Sequence, residues 1–234
     1  MKDISTVSDL GIGQSSRVLV LMPHPDDEAV FISGLLQKLS SLSISTRAIT
    51  FTAGEKSTLR YTLPPEADLA IERQRELTNA INLLGITDFQ ILTLPDGGLE
   101  NETKQISKIV TQELNSFKPT IVLTLEPDGI YGHPDHIALS NTVTYAVKPP
   151  LKLLYATVSP NYIFPGARKM AKKQTIKPLL AEYRLRLTTK EALNKVKALR
   201  AHCSQFKIDL FHWKSILFFL KNDMLRHEYY SYNK

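Results

Sequence analysis

The chain has 234 residues, 43% of them apolar and 22% charged, with a formal net charge of +6. That size suits one domain burying roughly three quarters of its unfolded surface, so neither a disulfide framework nor a partner is required for a core. A lone cysteine, Cys203, excludes internal disulfides and fits a reducing compartment.

In chain order, residues 1–14 carry Lys2, Asp3 and Asp9 without an apolar core, unlike a secretory signal. Val18-Leu19-Val20-Leu21-Met22 is a continuous apolar run, the pattern of a strand buried on both faces. Residues 29–42 follow with apolar positions at helical spacing, and 48–51 form a second strand. Residues 66–84 place Leu69, Leu77, Ala80, Ile81 and Leu84 on one helical face, ended by Gly85. A strand at 89–92, a helix at 103–117, a strand at 121–125, a helix at about 135–147 and a strand at 153–156 continue the alternation. Such alternation predicts parallel βαβ units and an α/β fold with a mostly parallel sheet.

The period fails between 159 and 178, where Pro160, Pro165, Gly166 and Pro178 break the chain. This stretch holds a basic cluster of Arg168, Lys169, Lys172, Lys173 and Lys177. It reads either as a solvated loop or as a lid that draws in an anionic substrate. Residues 183–187 alternate as a strand, 190–202 form a helix, and the aromatic-rich remainder is read as a helix packed on the sheet, with a membrane-surface helix as the alternative because bulky apolar and basic residues interleave there. The expectation is one domain over 1–234 with a helical segment from about 190 to the end. The longest apolar stretch there, Ser215 to Leu220, is far short of the roughly 20 residues that span a bilayer. A soluble, cytoplasmic protein without a transmembrane segment is expected.

Two segments concentrate metal-capable side chains. Pro23-His24-Pro25-Asp26-Asp27-Glu28 follows the first long strand, and Gly132-His133-Pro134-Asp135-His136 follows the strand at 121–125. In open α/β sheets ligands bind beyond the carboxyl ends of the strands, so both segments can meet in one crevice. A catalytic zinc takes three nitrogen or oxygen ligands and keeps a fourth position for water, and two imidazoles with one carboxylate would supply them. Asp26 or Asp27 could alternatively cap the helix that begins near Glu28. No Walker loop and no Gly-x-Gly-x-x-Gly follows the first strand, which argues against a nucleotide cofactor.

With these residues the sequence resembles the LmbE-like, or PIG-L, N-deacetylases. That family carries a His-Pro-Asp-Asp-Glu segment after its first strand and a His-x-x-His segment after a later one. Both are intact here, as are Arg73 and Glu76 ahead of Leu84-Gly85, Leu94-Pro95-Asp96-Gly97, and Ala201-His202-Cys203-Ser204-Gln205. The resemblance implies a Rossmann-like three-layer fold with a zinc ion at the carboxyl edge of the sheet. Position by position, it makes His24, Asp27 and His136 the metal ligands, Asp26 the general base and His133 the oxyanion-stabilising histidine. Arg73 and Asp96 match positions that contact the sugar; Glu28 and His202 are read as supporting residues.

The implied reaction removes an acetyl group from an N-acetylglucosamine-type conjugate, a small-molecule substrate. Zinc is the implied cofactor, with ferrous iron or another divalent ion as the alternative, since mixed histidine and carboxylate sites accept several metals. Two rival readings are an amidase or esterase on a non-sugar acyl group, and a non-catalytic sugar- or nucleic-acid-binding protein prompted by the positive charge. The intact ligand set beside Asp26 argues against the latter, and no nucleic acid is expected.

Overall fold

A computed structural model describes residues 1–160, 178–207, 217, 220–221 and 223–233. One sheet gathers eight strands: β1 (Lys2–Ile4), β2 (Arg17–Met22), β3 (Ser45–Thr52), β4 (Asp88–Leu94), β5 (Ile121–Leu125), β6 (Lys152–Thr157), β7 (Tyr183–Arg186) and β8 (His227–Tyr232). Their order is β1-β7-β8-β6-β5-β2-β3-β4. β2 pairs in parallel with both β3 and β5, and β3–β4 and β5–β6 are also parallel. The sheet therefore grows in opposite directions from β2. That reversal leaves a crevice at the carboxyl ends of β2 and β5, where no crossover covers the strands.

The helices are α1 (Asp27–Phe31), α2 (Ser33–Ser41), α3 (Leu69–Leu83), α4 (Thr103–Phe117), the single turn α5 (Gly129–Gly132), α6 (Pro134–Ala146) and α7 (Thr189–Ala201). Strand alternation divides the apolar run of β2 between two cores. Val18, Val20 and Met22 join the core with Leu35, Leu77, Ile81 and Leu199 of α2, α3 and α7. Leu19 and Leu21 face the other, with Ile106, Val110, Leu139 and Val143 of α4 and α6. These are the three layers expected. Asp68 caps α3 by accepting from the amides of Ala70 and Ile71, and Thr188 and Glu191 form a reciprocal capping box on α7.

The structure departs from the sequence reading in three places. The helix expected over 29–42 is broken at Ile32, whose ψ of 10° leaves the helical region. The cause lies far along the chain: Glu228 of β8 accepts from the amides of Gly34 (2.7 Å) and Leu35 (2.9 Å), donors that a continuous helix would use internally. Second, the C-terminal stretch is not helical throughout, since His227–Tyr232 forms β8, antiparallel to both β6 and β7. Its tyrosines suit a pleated surface, with Tyr229 and Tyr230 both buried. Third, Lys2–Ile4 adds an edge strand parallel to β7, too short to show a period. The basic cluster and most of the proposed lid lie outside the described residues, as do Phe211, Trp213, Phe218 and Phe219. No helix among the described residues is long and apolar enough to cross a membrane.

Candidate metal centre and active site

His24 follows β2 directly, and its imidazole is the hub of the crevice. Nδ1 lies 3.2 Å from His136 Nε2 and 3.4 Å from Asp27 Oδ2. Asp27 presents its other oxygen, Oδ1, to His136 Nε2 at 3.6 Å. On the far side of the ring, His24 Nε2 meets Asp135 Oδ2 at 3.1 Å and Asp96 Oδ1 at 3.2 Å. All five side chains are buried. Two sets of atoms lie within 4.8 Å of one another: those of His24, His133 and His136, and those of His24, Asp96 and Asp135.

The carboxylates differ in what already occupies them. Asp135 accepts from the amides of Leu99 and Gly97, and Asp96 from the amide of Lys56. Among the described residues the one amide on Asp27, that of His24, goes to Oδ2, and Oδ1 faces the His136 imidazole. Burial opposes ionisation of Asp27, but the adjoining His136 and His24 overcome it and hold the carboxyl at about 2. For Asp96 burial likewise loses, here to His24 and the Lys56 amide, leaving it at about 2. Burial pushes His136 down to about 3, so it is a neutral imidazole at pH 7. Burial also favours neutral His24, but hydrogen bonds to Asp135, Asp27 and Asp96 raise it well above the ordinary value.

Asp26 is built differently. It occupies the N-cap position of α1 without any capping hydrogen bond from its side chain, so the capping alternative fails for it. Its φ of 110° is left-handed, a conformation that non-glycine residues adopt at a cost of about 1–3 kcal/mol and that concentrates at functional sites. Both ends of the residue are held. Its amide donates to Glu28 Oε2 (3.0 Å), and Glu28 Oε1 in turn meets His202 Nε2 at 2.7 Å. Its carboxylate accepts from Arg73 Nη2 at 3.0 Å, while the same guanidinium also donates to the carbonyls of Pro25 and Gly54. Burial lifts the Asp26 carboxyl to about 6, with Arg73 opposing and Asp27 adding to the shift.

His133 caps α6 through Nδ1, which accepts from the Asp135 amide at 3.2 Å. Burial and His24 lower its pKa, and a neutral ring accepting at Nδ1 must carry its proton on Nε2. Its ring stacks on His136, with centroids 4.7 Å apart.

All seven residues singled out in the sequence therefore converge. Six of them (His24, Asp26, Asp27, Arg73, Asp96 and His133) line a cavity of about 540 Å³ with Lys56, Ser57, Tyr131 and Gln205, and His136 lies buried behind it. Arg73 and Asp96 face this space while also orienting Asp26 and His24. Sequence reasoning gave no role to Asp135, although it stands inside the second segment, nor to Gln205, whose side chain pins the rim through Ser57 and Leu59.

A mostly parallel α/β sheet with imidazoles and carboxylates gathered at its switch point defines the class of protein: an α/β fold with a metal-suited site at the carboxyl edge. The profile of PIG-L, GlcNAc-PI de-N-acetylase, matches residues 19–147, more than half of the chain, and the chain belongs to that family. It is 31% identical over 199 residues to a probable N-acetyl-alpha-D-glucosaminyl L-malate deacetylase 2 of Bacillus subtilis, covering 81% of this chain and 83% of the relative. It is 28% identical over 244 residues to a 1D-myo-inositol 2-acetamido-2-deoxy-alpha-D-glucopyranoside deacetylase 1 of Saccharopolyspora erythraea, covering 85% and 80%. Among solved structures, N,N'-diacetylchitobiose deacetylase from Pyrococcus horikoshii matches with a TM-score of 0.64 at 21% identity, over 100% of this chain and 95% of that one. GalB, the 4-carboxy-2-hydroxymuconate hydratase from Pseudomonas putida, matches at 0.66 and 11%, over 94% and 96%. A deacetylase and a hydratase thus share this fold, and the fold alone does not select the chemistry.

Proposed function

We propose that the protein is a metal-dependent hydrolase that removes the acetyl group from an N-acetylglucosamine-type conjugate, giving a free amino sugar and acetate. The observation that carries this reading is the spacing of three donor groups. His24 Nδ1, His136 Nε2 and the Asp27 oxygens are separated by 3.2, 3.4 and 3.6 Å. Ligands about 2.0–2.1 Å from a tetrahedral ion lie about 3.3–3.4 Å apart, close to the imidazole pair and to the approach of Asp27, whose Oδ2 faces His24 and whose Oδ1 faces His136, so one ion could sit among the three residues. His24, Asp27 and His136 would hold it, zinc being our reading and ferrous iron the alternative. Bound there, a divalent ion supplies an acidified water and polarises the acetamide carbonyl.

The chain's own groups do the rest. Asp26, fixed by Arg73 and by the Glu28–His202 pair, takes a proton from the attacking water. The oxygen adds to the carbonyl carbon, and the oxyanion that develops accepts a hydrogen bond from Nε2–H of neutral His133. Protonated Asp26 passes its proton to the amine nitrogen as the C–N bond breaks. Arg73 and Asp96 flank the sugar, with whatever freedom their bonds to Asp26 and His24 leave. We place the reaction in the cytoplasm, in keeping with the single free thiol. The test is acetate release from N-acetylglucosamine conjugates with and without a chelator. Release that chelation abolishes and zinc restores supports the reading; hydrolysis of simple acyl esters or non-sugar amides in preference to these conjugates would overturn it.

A further inference from the structure

The cavity is lined by two basic side chains, Arg73 and Lys56. Arg73 is committed, its guanidinium shared among Pro25, Gly54 and Asp26. The lining carboxylates are committed too: Asp26 to Arg73, Asp27 to His24 and His136, and Asp96 to His24 and the Lys56 amide. Even neighbouring Glu55 is engaged, accepting from the Asp96 amide at 2.9 Å. The Lys56 ammonium has no hydrogen bond or ion pair among the described residues, so of the two basic side chains of the lining it is the one left to meet a ligand.

This lysine is held in place by its backbone. Its amide donates to Asp96 Oδ2 at 2.8 Å, and the next residues are pinned at Ser57 Oγ (2.6 Å) and the Leu59 carbonyl (3.1 Å) by Gln205. The stem lies over the turn after β4: a Cβ built on Gly97 would stand 3.6 Å from Lys56 Cδ and 4.0 Å from Nζ. The Gly97 amide donates to Asp135, which meets His24. The backbone of Lys56 is thereby fixed relative to the reacting centre, and its exposed side chain lies at the cavity wall rather than beside the metal ligands.

We infer that Lys56 reads an acidic group on the substituent carried by the amino sugar, and that the preferred substrate is a carboxylate-bearing conjugate rather than a neutral polyol conjugate. The inference rests on the deacetylase reading above. The two relatives already described frame the choice, since one is named for a malate conjugate and the other for an inositol conjugate. An ammonium facing a carboxylate forms a charge-assisted hydrogen bond, about twice as strong as a neutral one. A neutral polyol would instead leave the charge to water.

The experiment compares kcat/KM for N-acetylglucosaminyl malate and for the inositol conjugate in the zinc-loaded wild type, Lys56→Gln, Lys56→Arg and Lys56→Glu, at two salt concentrations. The malate-to-inositol ratio should fall several-fold in Lys56→Gln, fall further in Lys56→Glu, recover in Lys56→Arg, and decline with salt in the wild type. An unchanged ratio in Lys56→Gln, or a wild type that prefers the inositol conjugate, overturns the inference while the deacetylase reading stands. Should neither conjugate release acetate, the deacetylase reading fails instead. Calorimetric binding of the intact malate conjugate to wild type and Lys56→Gln then decides Lys56 separately: equal affinity rejects it, weaker binding by the variant supports it.

Discussion

The parallel part of the sheet and its antiparallel flank divide the labour of this molecule. Loops at the carboxyl ends of β2, β3, β4 and β5 carry His24, Lys56, Asp96 and His133 into the cavity. By contrast, β7 and β8 bring no side chain to it among the described residues, yet Glu228 of β8 accepts from Ser33, Gly34, Leu35, Lys195 and Tyr230 while fully buried. One region holds charge under strain where a ligand can reach it, and the other satisfies every lone pair of a buried carboxylate. A buried charge with a complete set of partners is structural, whereas a buried charge left partly unmatched is available for chemistry.

Replacing one residue from each region tests that division. Asp26→Ala should lose about 10²–10⁴-fold in kcat, the usual worth of a general base, while retaining its metal by elemental analysis. Replaced by Asn, which keeps an acceptor for Arg73, the same position should show no loss of folding stability. An acid lifted from 3.8 to about 6 by burial is destabilising once ionised, the deficit growing as pH rises from the unfolded pKa to the folded one. Metal-free Asp26→Asn should therefore be at least as stable as wild type in urea at pH 7. A marked loss there would place Asp26 with the structural groups.

Glu228→Ala should do the converse. It strands Lys195, which is fully buried, and removing one partner of such a pair typically costs about 3–5 kcal/mol. Denaturant titration should show that loss, with kcat per folded molecule within a few-fold of wild type. A collapse of kcat at unchanged stability would break the comparison.

Gly54→Ala probes the join between the two kinds of site. Gly54 has φ 68°, and a Cβ there would stand 2.0 Å from Arg73 Nη1. The backbone alone costs about 1–2 kcal/mol, and the displaced guanidinium should release Asp26, so stability and kcat should fall together. Ala tolerated in both measurements would remove Arg73 from the account.

The smallest expected effect is at His202. Burial disfavours its cation, but the charge and hydrogen bond of Glu28 raise its pKa above 6.5. A raised pKa adds stability that is complete below the unfolded value and is lost as pH climbs through the folded one. The melting-temperature gap between wild type and His202→Gln should narrow as pH rises above about 6.5, and a gap that widens would reverse the assignment.

The parallel half was far more legible in the sequence than the flank. Val18–Met22 and Ile121–Leu125 announce buried strands by composition alone, and the two His-Pro-Asp segments follow them within a few residues. The break at Ile32 was hidden because its cause, Glu228, lies 194 residues from Gly34 in the chain. The link of Arg73 to Asp26 was equally invisible. The family resemblance put Arg73 near the site, but only the folded crossover shows the guanidinium reaching Pro25 and Gly54. Asp135 escaped notice because its task depends on the amides of Gly97 and Leu99, and backbone donors leave no mark in a sequence.

Four consecutive residues after α7 hold three parts of the site and its support: His202 grips Glu28, Cys203 and Ser204 grip Glu76 of α3, and Gln205 grips Ser57 and Leu59. Such a segment constrains inheritance as well as geometry. Inserting a single residue would misalign all these attachments at once, so length variation should be confined to the stretches on either side. Substitutions at 28 and 202, and at 76 and 204, should arise as matched pairs across lineages, because either change alone leaves a buried polar group short of a hydrogen-bond partner.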